Sequence, residues 1–386
     1  MNTPFIYLDY NASTPNDPRV VDAMLPFLTN HYGNPSSIHS QGIKAKESIE
    51  KARKQVANLL DASPNEIVFT SGGTESNNYA IIGTAISNKE KGNHIITSSV
   101  EHPAVIEVCK YLETQGFKIT YVDVNKNGIV DVKELEKAIL PETILITIMH
   151  ANNEVGSIQP IKEIGEIAKQ HGIIFHTDAA QSVGKIATNV KELNVDLLTI
   201  AGHKIYAPKG IGALYIKKGI TLSKLMHGAG HEFNKRPGTE NVMQIVGLGK
   251  ACEITNQEFN ENTSQMRKMR DYLLVQLNSL NFDSIVNGDV SRSLPNTLNM
   301  SFKNIDANTV INELRNKVAL SAGSACHSGT ANLSNVLKAT LSDYNYANGT
   351  FRFSVGKNTT KQEIDDAIIH FKKAFEKLKL TKLNYH

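Results

Sequence analysis

Glu66-Ile-Val-Phe-Thr-Ser-Gly-Gly-Thr-Glu-Ser-Asn77 changes character partway along. Residues 66–70 form a β-branched, apolar run, and from Glu75 to residue 86 apolar side chains return at three- and four-residue spacing. The reading is strand, small-residue turn, helix. In an open parallel sheet such a turn lies at the carboxyl end of a strand, where loops converge and ligands bind. Ser71, Gly72 and Gly73 allow close backbone approach, the Thr74 hydroxyl adds a donor, and the free amides make an anion cradle suited to phosphate. Ser and Thr ahead of Glu are also an ordinary helix cap. Alone, the stretch leaves both readings open.

The same alternation extends outward. Strands are expected at 94–98, 118–122, 144–150, 173–177, 197–200 and 213–216, and amphipathic helices at 75–86, 104–115, 132–139 and 161–171. Short β-branched runs alternating with helices resolve as a mainly parallel sheet covered on both faces, so the fold class is α/β. After Thr239 the pattern changes. A long helical stretch, 244–280, precedes weaker strands near Ile285, at 298–302 and at 351–355, with helices at 307–315 and 361–378. That is a smaller α+β domain. The expected division is 16–257 for the large domain, with 1–15 and 258–386 in the small one.

Composition removes several function classes. The 386 residues are 40% hydrophobic and 20% charged, enough to bury a sizeable core. Forty-one Lys and Arg against 38 Asp and Glu leave a net charge of +3, too small and too evenly spread for a nucleic-acid or anionic-membrane footprint. Apolar runs such as 144–149 fall far short of the roughly 20 residues that span a bilayer. The start carries Asp9 where a signal peptide would still be apolar, so a cytoplasmic location is expected. Cys109, Cys252 and Cys326 are odd in number and far apart, which suits neither a disulfide framework nor a metal site.

The expected strand ends carry the chemistry. Strand 173–177 delivers Asp178-Ala-Ala-Gln181, and strand 197–200 delivers Ala201-Gly-His-Lys204. An Asp–Lys pair at two strand ends is also a common structural ion pair. Joined to a phosphate cradle it gains meaning. A phosphate anchor, a carboxylate for a pyridinium nitrogen and an amine for a Schiff base are the parts of a pyridoxal-phosphate site. His102 could stack on a flat ring or be an ordinary loop histidine, Asn153 could bond the ring hydroxyl or simply make a turn, and Arg352 could fork onto a substrate carboxylate or face water from an edge strand. Cys326 sits in Ser321-Ala-Gly-Ser-Ala-Cys-His-Ser-Gly329, whose small residues leave a thiol able to reach outward.

Further motifs complete the set: Leu8-Asp-Tyr-Asn-Ala-Ser-Thr-Pro15, Gly33-Asn-Pro-Ser-Ser37, Arg236-Pro-Gly-Thr239, Ser324-Ala-Cys-His327 and Arg352-Phe-Ser354. In this order and spacing the chain resembles, almost end to end, the cysteine desulfurases and selenocysteine lyases among class V aminotransferase-fold enzymes. The resemblance implies the pyridoxal-phosphate-dependent transferase fold, fold type I, and conversion of L-cysteine to L-alanine with sulfur passing to an enzyme persulfide. It implies that Lys204 bonds the cofactor aldehyde and then moves the substrate α-proton, and that Asp178 pairs with the ring nitrogen. His102 would stack on the ring, and Asn153 and Gln181 would lie at its hydroxyl. Gly73, Thr74 and His203 would bind phosphate, and Thr239 would reach the phosphate of a neighbouring subunit in a homodimer. Arg352, helped by Asn34, would hold the substrate carboxylate, and Cys326 would accept sulfur for delivery to an acceptor such as an iron–sulfur scaffold.

Two positions depart from the family. Many members have Ser where this chain has Ala201, so one phosphate contact is absent. His327 gives Ala-Cys-His, closer to the selenocysteine-lyase branch, and leaves L-cysteine and L-selenocysteine both open as substrates. An aminotransferase or β-eliminating lyase on the same fold would have no use for Cys326.

Overall fold

The computed structural model describes residues 5–325, 332–341 and 343–383. Among them a seven-stranded sheet runs in the order Ile67–Thr70, Gly212–Ile216, Leu197–Ala201, Ile174–Asp178, Thr143–Thr147, His94–Ser98, Lys118–Val122. Gly212–Ile216 is antiparallel to both neighbours, and the other pairs are parallel. Strands buried on both faces read as continuous apolar runs, whereas the edge strand Lys118–Val122 is half exposed and mixes Lys118 and Thr120 into its sequence.

Helices cover both faces. On one, Ile49, Val56 and Leu60 pack with Leu248, Ile254 and the sheet residues Phe175 and Ile200. On the other, Ile81, Val105, Val108 and Leu112 lie against Ile95 and Leu145. Each fully buried aliphatic side chain contributes about 1.5–3 kcal/mol. The helix Ser40–Leu60 falls outside the elements expected from the sequence, although Ala45, Ile49, Ala52, Val56 and Leu60 carry its buried stripe.

A second core forms around an antiparallel sheet in the order Ser321–Ala322, Thr350–Ser354, Thr297–Phe302, Ser284–Val286. Phe302, Phe351, Phe371 and Phe375 fill it, with Phe371 and Phe375 ring centres 4.4 Å apart. The N-terminal strand Ile6–Tyr7 pairs in parallel with Val318–Ala319, and Ile6 and Leu8 join this second core.

The helix expected at 244–280 is two helices, Val242–Gln257 and Phe259–Asn278. Glu258 between them leaves helical geometry, and its carboxylate takes the Arg19 guanidinium at 2.5 Å. The break falls at the boundary expected between 257 and 258, within the polar stretch 256–263. The strand expected at 144–150 ends at Thr147. Beyond it the chain still bonds its neighbour, His150 N donating to Asp178 O at 2.8 Å, while turning toward Asn153.

Candidate functional site

The carboxyl ends of the central strands open onto a cavity of about 480 Å³. Gly73 and Thr74, in the first turn of the helix Gly73–Ser87, line one end with Ala201 and His203. Gly72, just before that helix, has φ of 154°. It sits so close to the neighbouring strand that a Cβ on Gly212 would lie 2.8 Å from its Cα. Glycine at both positions permits the approach that aims the helix N-terminus into the cavity. Burial, then the charge of Lys204, lowers the His203 imidazole to about 4, so it lines this end as a neutral ring.

Lys204 lines the cavity on the turn after Leu197–Ala201. Its Nζ donates to the carbonyls of Asn11 and Ala12, the latter at 2.8 Å. Burial first, and then the Arg352 charge, lowers the amine to about 8. That gives it a sizeable neutral fraction in mildly alkaline solution. Asp178, at the end of its strand, accepts from Asn77 Nδ2 at 2.6 Å and from Ala180 N at 2.9 Å. These two bonds orient the carboxylate at the cavity wall.

His102 caps the helix Pro103–Thr114, its Nδ1 accepting from Ala104 N at 3.1 Å, an arrangement that places the ring proton on Nε2. Burial lowers its pKa, Asp178 opposes that and Lys204 adds to it. Gln181 Nε2 donates to Asn11 O at 3.0 Å, and Asn153 lines the same wall.

Arg352 closes the cavity from the second sheet. It donates to Asp9 Oδ1 at 2.8 Å, Ser321 Oγ at 3.0 Å and Asn153 O at 3.2 Å, and its Nε is buried with no partner among the described residues. An unpaired buried guanidinium donor beside a cavity suits an incoming carboxylate. Glu154, next to Asn153, is half-buried and accepts from Ser334 Oγ at 2.6 Å. Burial raises its carboxyl, while Ser334 and Arg352 work the other way.

Gly73, Thr74, His102, Asn153, Asp178, Gln181, His203, Lys204 and Arg352 thus share one cavity. Thr239 and Asn34 do not line it: both lie on exposed segments of the chain. Cys326 and His327 lie outside the described residues. Three contributors went unassigned in the sequence: Asn77, which holds Asp178; Asn11, whose backbone carbonyl gathers Lys204 and Gln181; and Lys185, which donates to Gln181 O and Oε1. Asn11 and Asn77 both fall within quoted motifs, and that placement was their only signal.

Residues 6–366 match the model of the family Aminotransferase class-V. The chain is 47% identical over 375 residues to a cysteine desulfurase IscS of Dictyoglomus turgidum, covering 97% of this chain and 95% of that protein. It is 48% identical over 361 residues to a cysteine desulfurase IscS of Methanosarcina thermophila, covering 93% and 89%. Among solved structures, a NifS-like protein superposes with a TM-score of 0.90 at 39% identity, covering 98% of this chain and all 100% of the other. SspA in complex with cysteine gives 0.81 at 37% identity, covering 92% and 100%. The fold, the cavity and these likenesses agree, and the chain belongs to the class V aminotransferases, in their cysteine desulfurase branch.

Proposed function

We propose that this protein is a pyridoxal-phosphate-dependent cysteine desulfurase, converting L-cysteine to L-alanine and taking the sulfur as a persulfide on Cys326. The observation that carries the reading is the meeting of a depressed lysine, an oriented carboxylate and a small-residue anion cradle in one cavity. These residues fit a flat phosphorylated aldehyde. Lys204 would bond the aldehyde, Asp178 the ring nitrogen, and Gly73, Thr74 and His203 the phosphate. His102 would cover the ring face, with Asn153 and Gln181 at its hydroxyl. When bound, the cofactor supplies an electron sink for the substrate α-carbon.

The remaining work falls to side chains. Arg352 offers its Nε, unpaired among the described residues, to the substrate carboxylate and fixes which bond at the α-carbon faces Lys204. Lys204, with its amine near pH 8, accepts and returns the α-proton. Asp178, held by Asn77, keeps its carboxylate directed at the ring position. The Cys326 thiolate forms the new S–S bond as the substrate C–S bond breaks.

The reading extends to a homodimer. Leu25, Leu28, Tyr32 and Ile38 are 50%, 61%, 79% and 94% exposed in the single chain, an apolar surface that suits a second copy. Thr239 and Asn34, away from this chain's own cavity, would then serve the neighbouring one. Residues 16–257 and the pair 1–15 with 258–386 are taken as the two domains framing each cavity. The sulfur would pass on to an acceptor protein, such as an iron–sulfur scaffold, in the cytoplasm. Among the described residues no helix is long and apolar enough to cross a membrane.

The test is purification with a visible spectrum, borohydride reduction, and assays of alanine with sulfide or selenide from cysteine and selenocysteine, for the parent and Cys326→Ser. A colourless protein with no reducible bond at Lys204 would end the reading. Selenide release without sulfide would favour a selenocysteine lyase. Alanine formation undiminished in Cys326→Ser would favour a β-lyase.

A further inference from the structure

Glu232, Phe233 and Asn234 are consecutive residues with φ of 47°, 57° and 63°. Residues bearing a Cβ avoid that region, and a run of them persists only where the surroundings hold it. The holder here is a buried ion pair. Arg53 grips Glu232 through two bonds of 2.7 and 2.8 Å, and both side chains are 3% exposed. The Arg53 guanidinium carbon also lies 4.8 Å from the ring centres of both Phe69 and Phe233.

The strained segment is fastened along the strand, turn and helix that form the anion cradle. Glu232 Oε2 accepts from Phe69 N at 2.8 Å, just before the cradle. Lys235 O accepts from Tyr79 Oη at 3.0 Å, further along the helix. Arg236 Nε meets Glu75 Oε1 at 2.9 Å, and the other oxygen of Glu75 accepts from Ser71 N at 2.7 Å, inside the cradle itself. None of these side chains lines the cavity. Residues 232–236 therefore form a strap that fixes the cradle from behind.

We propose that Arg53 and Glu232 are a positioning pair for the cofactor phosphate: by holding the strained strap they set how firmly residues 71–74 grip that group. This rests on the cofactor reading of the preceding section. It concerns the phosphate alone and leaves the Lys204 bond to the aldehyde untouched.

The experiment uses the full-length holoenzyme and the same protein reloaded with pyridoxal, which keeps the aldehyde and lacks the phosphate. Loss of each chromophore on dilution is followed by absorbance for the parent, for Arg53→Met with Glu232→Leu together, and for Arg236→Gln. Removing both charges of the buried pair leaves neither one stranded, so the double variant is expected to stay folded. Pyridoxal phosphate should leave about tenfold faster from the double variant and about threefold faster from Arg236→Gln, the scale of one or two weakened hydrogen bonds, with pyridoxal release unchanged. Parallel acceleration of both compounds, or of neither, overturns the proposal. Should the double variant melt, an unchanged release ratio in Arg236→Gln overturns it by itself. A parent that binds neither aldehyde sinks the cofactor reading instead, a separable result.

Discussion

Asn77 donates its side-chain amide to the Asp178 carboxylate across 2.6 Å, although 101 positions separate them in sequence. Asn77 lies one turn into the helix that begins at the cradle, so a single helix presents both the phosphate amides and the group that orients the ring's carboxylate partner. Displacing that helix would disturb both ends of the site together.

Asn77→Ala is expected to lower kcat/KM for alanine formation roughly 10- to 100-fold. A buried hydrogen bond to a charged group contributes about 1.5–3 kcal/mol, and each 1.4 kcal/mol is about a factor of ten. Steady-state kinetics on L-cysteine measure it. An effect below twofold would mean that the bond from Ala180 N holds Asp178 unaided.

Arg352 supplies the second-largest depression of Lys204, after burial. Removing a nearby positive charge favours the protonated amine, so Arg352→Gln is expected to move the Lys204 pKa upward from about 8 toward its ordinary 10.5. The check is the pH dependence of Lys204 trapping by pyridoxal and borohydride in parent and variant. The variant profile should lie to higher pH. A profile at the same pH would leave burial as the sole cause.

The outline of the fold could be read because buried parallel strands and stripe-bearing helices write local patterns into the chain. The strand–turn–helix at 66–77 is the clearest case, with Gly72 at a φ that side chains rarely adopt. The partners that tune the site are a different matter. Arg53 and Glu232 lie 179 positions apart, and Gln181 and the Asn11 carbonyl 170. Such pairs leave no periodic trace, and a backbone carbonyl acting as acceptor has no side-chain signature at all. Arg19, which holds the Glu258 carboxylate, lies 239 positions from it, whereas the break itself falls at the boundary expected between 257 and 258. Thr239 and Asn34 follow from the family motif, and a single chain gives them no contact with its own cavity.

Ala201 lines the phosphate end of the cavity, and a Cβ on Gly73 would lie 3.3 Å from its own. Ala201→Ser adds one hydroxyl there. With a net hydrogen-bond contribution of about 0.5–1.5 kcal/mol, pyridoxal phosphate should be retained roughly 2- to 10-fold more tightly, with no change for pyridoxal. Equal retention of pyridoxal phosphate by parent and variant would show that His203 and Thr74 already satisfy the phosphate.

Lys185 is a buried amine, bonded to Gln181 O at 3.0 Å and Oε1 at 3.2 Å, and burial followed by the charges of Lys204 and Arg352 lowers it to about 7. In the unfolded chain it titrates near 10.5. Below pH 7 both states carry the proton and the folded state bears the full desolvation cost. Between about 7 and 10.5 the unfolded state binds more protons, so this residue's contribution to stability improves as pH rises. Methionine fills similar volume without a charge. Lys185→Met is therefore expected to be most stabilising relative to the parent at pH 6, with the difference shrinking by up to about 1.4 kcal/mol per pH unit above 7. Urea unfolding of both proteins at pH 6, 7.5 and 9 measures it. Subtracting variant from parent removes the titrations they share, including Glu101, which burial raises to about 8 and which works in the opposite direction. A difference that stays constant across the three pH values would mean that Lys185 remains charged in the fold, held by the Gln181 oxygens.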